Sequence, residues 1–245
     1  MGVLPDAWLW LSTAAHWTET GGVLQRLGEH LYLTAVCLGI ACGLALPLAV
    51  WLGHIGRGGA LAVNLSNAGR AVPTFAVLVL LTLSPLGRYG DVPTILALVL
   101  FAIPPLLTNA YVGMREADPE AVEAARGMGM SGGQLLARVE LPLAYPLLAT
   151  GVRSAAVQVV ATATLAALAG GGGLGRIVTA GFRTYDTAQV VAGAALVAVL
   201  ALLVEAVLVL LGRLLDPMRG RRRTARGTAR GTASEAAPEP AKSPA

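Results

Sequence analysis

Apolar residues in this chain arrive in long runs rather than in alternation. Leu31–Leu52 is uncharged, with Tyr32 and Trp51 at its ends. Ala60–Leu83 is apolar but interrupted by Asn64, Asn67, Arg70 and Pro73. Val92–Val112 is uncharged and contains Pro104-Pro105, Leu143–Ala169 carries Arg153, and Ala188–Gly212 carries Glu205. At 1.5 Å per residue, runs of about 20 residues cross a hydrocarbon core. In lipid a helix is the conformation that satisfies its own backbone within one segment. The pattern therefore predicts an all-α, polytopic membrane helical bundle of about five transmembrane helices. Its membrane domain covers 31–215. Residues 1–30, with Trp8, Trp10 and Trp17 and no basic region ahead of an apolar core, read as an external, interfacial segment rather than a signal peptide. Residues 216–245 are rich in Arg, Thr, Ala, Gly and Pro without apolar periodicity, and are expected to be a disordered basic tail.

Composition agrees with a membrane protein. Hydrophobic residues make up 55% and charged residues 13%, against roughly 25% charged in soluble domains. The net charge of +4 owes much to Arg219–Arg230, beside the last apolar run. A basic cluster there reads as a topology signal or a contact with anionic membrane lipids, and nucleic acid is not an expected partner. With the C-terminus inside, segments 53–59, 113–142 and 213–245 hold twelve Lys and Arg residues, while 1–30, 84–91 and 170–187 hold four. The predicted topology is thus N-terminus out, C-terminus in. Cys37 and Cys42 share one run about 140° apart around a helix, which disfavours a local disulfide. No cysteine or histidine pattern marks a metal site, and no cofactor is expected. His16, His30 and His54 are scattered and read as solvated or interfacial.

The longest polar stretch of the membrane domain is 115–142. Asp118-Pro119-Glu120 is a helix start, with a capping side chain, a proline tolerated in the first turn and acids at the positive end. Ser131-Gly132-Gly133 reads as a turn, Gln134–Glu140 as a second short helix, and Leu141-Pro142 as its stop. Two helices this short need a surface to pack on. Within the stretch stand Glu123-Ala124-Ala125, Gly129 after three residues, Val139 after nine more, then Glu140 and Leu141-Pro142. This register resembles the EAA loop of permeases of bacterial ABC importers, with Val where Ile is commoner. Asn67–Thr74, Pro104–Asn109, Thr164–Gly175 and Gly28–Leu33 are similar to permeases for glycine betaine, carnitine and choline, so the resemblance covers roughly 25–215. It implies a MetI-like permease fold in which the loop is a cytoplasmic coupling helix gripped by a separate ABC ATPase. Glu123 would supply a polar contact, Ala124 and Ala125 close approach, Gly129 the turn, and Val139, Leu141 and Pro142 the end of the motif. The implied partners are ATPase subunits, an extracytoplasmic solute-binding protein and a second permease chain, identical or paralogous. The chain itself is expected to be a transport subunit, with ATP hydrolysis elsewhere.

Charges inside spans are costly unless paired or watered. Arg70, beside Asn67 and the helix break at Pro73, is read with Asn109 as lining a translocation path. Arg153 and Glu205 are read as a structural pair or as snorkelling side chains. Gly170–Gly175 superficially resembles a phosphate loop, but Arg176-Ile177 follow it and no Lys-Ser/Thr does. It is expected to be a flexible outer turn or gate element. A permease of the same superfamily for methionine, a secondary transporter or channel needing no ATPase, and a membrane enzyme are the alternatives. No set of side chains in the spans favours the enzyme.

Overall fold

The computed structural model describes residues 2–59, 64, 67–69 and 71–218, and these form helices joined by short turns. Arg70 and the tail from Arg219 lie outside the described residues. The elements are α1 (Val3–Ser12), α2 (Ala15–Thr18), α3 (Val23–His54), α4 (Thr74–Leu83), α5 (Val92–Arg115), α6 (Pro119–Gly127), α7 (Gly132–Ala169), α8 (Gly175–Thr184) and α9 (Thr187–Leu215). Among the described residues, the four segments Ala15–His54, Val92–Arg115, Gly132–Ala169 and Thr187–Leu215 are long and apolar enough to cross a membrane.

The second predicted span differs. The chain leaves helical geometry at Val72 and Pro73, and Pro73 precedes α4 instead of lying inside a helix. Proline clashes with a helical residue before it, so the break follows from sequence. The ten residues of α4 rise about 15 Å, half of a hydrocarbon core.

Three helices make the centre. Cys37, Ala41 and Ala45 of α3 pack with Leu98, Val99, Ala102 and Leu106 of α5 and with Ala155, Val159 and Ala163 of α7. Small side chains at these contacts let the backbones approach closely, the usual basis of helix association in membranes. Gly53 abuts Met114 while the Cys37 thiol faces the Ile95 carbonyl, so α3 and α5 run parallel. Gly151 abuts Asn109 and Gln158 meets Phe101, so α7 runs antiparallel to them. The Tyr145 hydroxyl donates to the Gly212 carbonyl at 3.1 Å, and Arg153 lies 3.9 Å from Glu205, which sets α9 antiparallel to α7. The ends of α3, α5 and α9 therefore gather at one end of the bundle with α6, here called the motif end. The N-terminal helices and the Gly170–Gly175 connection lie at the other, the far end.

Prolines inside helices leave carbonyls without their usual donor. Pro105 does this to Phe101, and Gln158 Nε2 of α7 donates to that carbonyl at 3.1 Å. The carbonyl freed by Pro105 is thus satisfied within the protein, as a lipid-surrounded helix requires. Arg153 and Glu205 form the expected pair, although both are partly exposed.

Candidate functional site

Local chemistry builds the motif end. Asp118 accepts from the Glu120 amide at 3.0 Å and caps α6, with Pro119 in the first turn. α6 ends in a Schellman turn: the Met130 amide donates to the Ala125 carbonyl and the Gly129 amide to the Arg126 carbonyl. Gly129 has φ +82°, and a Cβ there would meet nothing within 4 Å. The requirement for glycine is conformational, not steric. Ser131 then opens α7 with a capping box, exchanging hydrogen bonds with Gln134.

The seven motif residues do not share one surface. Glu123, Ala124 and Gly129 are exposed, whereas Ala125 is buried against its own chain. Val139 is half-buried. Leu141 and Pro142 line an apolar cavity of about 590 Å³ between α7 and α9, with Leu46 of α3 on its wall. Leu141-Pro142 does not stop the helix as expected. Residues 136–140 widen into a π turn, with the Leu141 amide donating to the Leu136 carbonyl, and the helix runs on to Ala166. A proline lacks the amide that would bond four residues back and crowds that carbonyl; a π turn just before it relieves both.

The same π turn holds Glu140, which is 5% exposed. Its Oε2 meets His54 Nδ1, at the end of α3, at 2.5 Å. A cavity of about 230 Å³ adjoins the pair, lined by Arg115, Glu123 and Arg126 among others.

The far end is fastened where a flexible turn was expected. The Gly173 amide donates to Glu29 at 2.9 Å, and the Leu174 amide donates to His30 Nδ1 at 3.2 Å. His30 Nε2, left to carry the proton, donates to the Val160 carbonyl at 3.0 Å. Arg176 donates to the carbonyls of Gly170 and Gly171, both at 2.7 Å. Gly173 has φ +87°, and a Cβ on Gly172 would sit 2.8 Å from the Glu29 carboxylate. Beyond this connection lies a polar cavity of about 450 Å³, between the N-terminal helices and α8, lined by Glu19, Arg26, Arg176 and Arg183.

The sequence over residues 38–220 matches the family model for the binding-protein-dependent transport system inner membrane component. The chain belongs to this family. It is a multi-pass permease component of the cell membrane, of the ABC-importer type. It is 32% identical over 200 residues to the glycine betaine/carnitine/choline transport system permease protein OpuCB of Bacillus subtilis, covering 82% of this chain and 91% of that one. It is 36% identical over 185 residues to the carnitine transport permease protein OpuCB of Listeria monocytogenes, covering 75% and 83%. Its fold is similar to a chain of the MetNI methionine ABC transporter in an inward-facing conformation, with TM-score 0.67, 23% identity, and coverage of 78% of this chain and 95% of that chain.

Three of the four residues read as lining a path in this permease, Asn67, Pro73 and Asn109, lie among the described residues. Asn67 is exposed on a helical stretch, Pro73 is exposed at the break before α4, and Arg70 is outside the described residues. Asn109 is half-buried, donates to the Pro105 carbonyl at 2.8 Å and packs on Gly151 of α7. Of the three histidines read as solvated or interfacial, only His30 is buried, whereas His16 and His54 are half-buried. His54 meets Glu140, and His16 stacks on Trp10 at 4.3 Å. Of the N-terminal tryptophans, Trp17 donates to the Leu11 carbonyl, and Trp8 is exposed. Glu29, His30, Glu140 and Gln158 are the functional candidates that sequence reasoning missed. Gly28–Leu33 stood out only as a stretch of resemblance, and Glu140 only as the unassigned residue between Val139 and Leu141.

Proposed function

We propose that this permease carries a quaternary-amine compatible solute (glycine betaine, carnitine or choline) into the cell. The observation that carries the solute class is the likeness to the glycine betaine, carnitine and choline permeases over most of both chains. The methionine transporter shares the fold at lower identity, and nothing in the site favours that solute.

ATPase subunits dock on the exposed parts of the motif, Glu123, Ala124 and the Gly129 turn, on the cytoplasmic side. Ala125, Leu141 and Pro142 act from within, holding α6 and the start of α7 against the bundle. The far end faces outward, where a solute-binding protein delivers its cargo. A second permease chain completes the path. The exposure of Leu202, Leu203, Val207 and Leu210 along α9 suits a helix covered by lipid or by that second chain. ATP changes the permease by contacting one of its states better than the other.

Purification of the tagged chain from native membranes, with mass spectrometry of its subunits and bound solute, tests this reading. An ATPase, a binding protein and a quaternary amine are expected. Recovery with methionine, or without any ATPase, would overturn it.

A further inference from the structure

The two fastenings described above sit on one helix. α3 runs unbroken from Val23 to His54. Near its start, Glu29 and His30 hold the Gly173 and Leu174 amides. Its last residue, His54, holds Glu140. From Glu29 to His54 the helix rises about 38 Å, more than the thickness of a hydrocarbon core. Between them Cys37, Ala41, Ala45 and Ala49 are buried against the neighbouring helices, so the middle of α3 is laterally held. Pro47 is the one proline inside it.

Glu140 is placed with unusual care. A carboxylate so deeply buried needs a partner. The π turn ahead of Pro142 rotates residues 136–140 relative to a regular helix, and Glu140 of that turn meets the end of α3. Ser131 and Gln134 cap the start of the same arm, directly after the Gly129 turn. A displacement of the exposed motif surface therefore reaches Glu140 through the arm. It must then either break the His54 contact or carry the end of α3 with it.

We propose that His54 and Glu140 are positioning residues forming a joint between the motif segment and α3, and that α3 is the rod delivering the motif's movement to the Gly170–Gly175 connection. This rests on the reading of the motif as an ATPase-docking surface, and adds to it a route and named contacts at both ends. The route is a chain of direct contacts: arm, Glu140, His54, α3, Glu29 and His30, glycine connection. Energetic coupling between two distant sites requires an element that both sites bias. Here that element is α3.

The test uses the assembled transporter in lipid vesicles, with Cys37 and Cys42 replaced by alanine and Leu168→Cys as a probe. Leu168 is exposed beside the glycine connection, and its labelling by a membrane-impermeant maleimide is timed with and without trapped nucleotide. In the parent protein nucleotide is expected to change the labelling rate. His54→Phe keeps a ring but removes the nitrogen. ATP hydrolysis should continue in it, with the nucleotide effect lost and uptake per ATP reduced about tenfold, within the usual range of coupling energies. His54→Asn, whose amide can donate from nearly the position of Nδ1, should restore both. Glu29→Ala, at the other end of the rod, should also lose the nucleotide effect while leaving the motif end untouched. A full nucleotide effect in either His54→Phe or Glu29→Ala would refute the rod. A parent complex that neither hydrolyses ATP nor imports solute would instead overturn the functional reading, and the joint with it.

Discussion

Gly129 carries a demand that no other residue type meets cheaply. At φ +82° with open space around it, an alanine would cost about 1–2 kcal/mol of left-handed strain, and a proline cannot adopt the angle at all. Gly129→Pro should therefore leave membrane insertion intact while misplacing the Met130–Ser131 turn, with hydrolysis uncoupled from uptake. Measuring both rates on one preparation checks this. His30 makes a second single-residue demand, because it joins the Val160 carbonyl to the Leu174 amide. His30→Ala leaves the buried Leu174 amide unpaired, at about 1–3 kcal/mol, while the Val160 carbonyl loses only a second donor because it stays in the α7 ladder. Thermal unfolding in detergent should show a lowered midpoint, and an unchanged one would mean water or a shift of the connection replaces the imidazole. The Gly129 turn was legible through the resemblance, whereas the local pattern put the turn at Ser131-Gly132-Gly133, where α7 already begins. His30 was not, because its partners lie 130 and 144 positions away.

At the scale of elements, legibility followed the same division. The runs at Val92 and Ala188 became α5 and α9 with little change, since hydrophobic length alone sets them. Asp118-Pro119 correctly marked the start of α6. Leu141-Pro142 was misread as a stop because the sequence does not reveal a π turn that accommodates the proline. α8 was not predicted, because only Gly170–Gly175 of that segment was read, as a turn; Gly175 and Gly181 of α8 lie at close contacts, with Thr164 and with Val190. The carbonyl that Pro105 frees in α5 offers a sharp check on how helices share their polar groups. Gln158→Leu should destabilise by about 1–3 kcal/mol, because the Phe101 carbonyl loses its donor. Pro105→Ala returns a backbone amide to that carbonyl, so Gln158→Leu should then cost little. The two changes are expected to be strongly non-additive in a double-mutant cycle. Simple additivity would mean that Gln158 serves another purpose.

The whole molecule has two chemically distinct ends. One presents a short helix hairpin with exposed Glu123 and Ala124; the other presents a pinned glycine connection beside a basic polar cavity. A membrane-impermeant thiol reagent should label Tyr185→Cys from outside intact cells and spare Glu123→Cys, in a background without Cys37 and Cys42. The reverse pattern would invert the proposed orientation. The all-helical bundle was legible from the sequence because the bilayer imposes helices on long apolar runs. The division of the motif into an exposed face and a buried one was not, since it depends on how α6 packs against the start of α7.

The central claim is that ATP drives a quaternary amine across the membrane through this chain, by way of Glu123–Pro142. Uptake of labelled glycine betaine, carnitine, choline and methionine into vesicles holding the purified complex and its binding protein tests it directly. ATP supplied on the motif side should drive accumulation of at least one quaternary amine and not of methionine, and Glu123→Arg should abolish accumulation while the complex still reaches the membrane. Accumulation that persists without ATP under an ion gradient, or that is normal in Glu123→Arg, would contradict it.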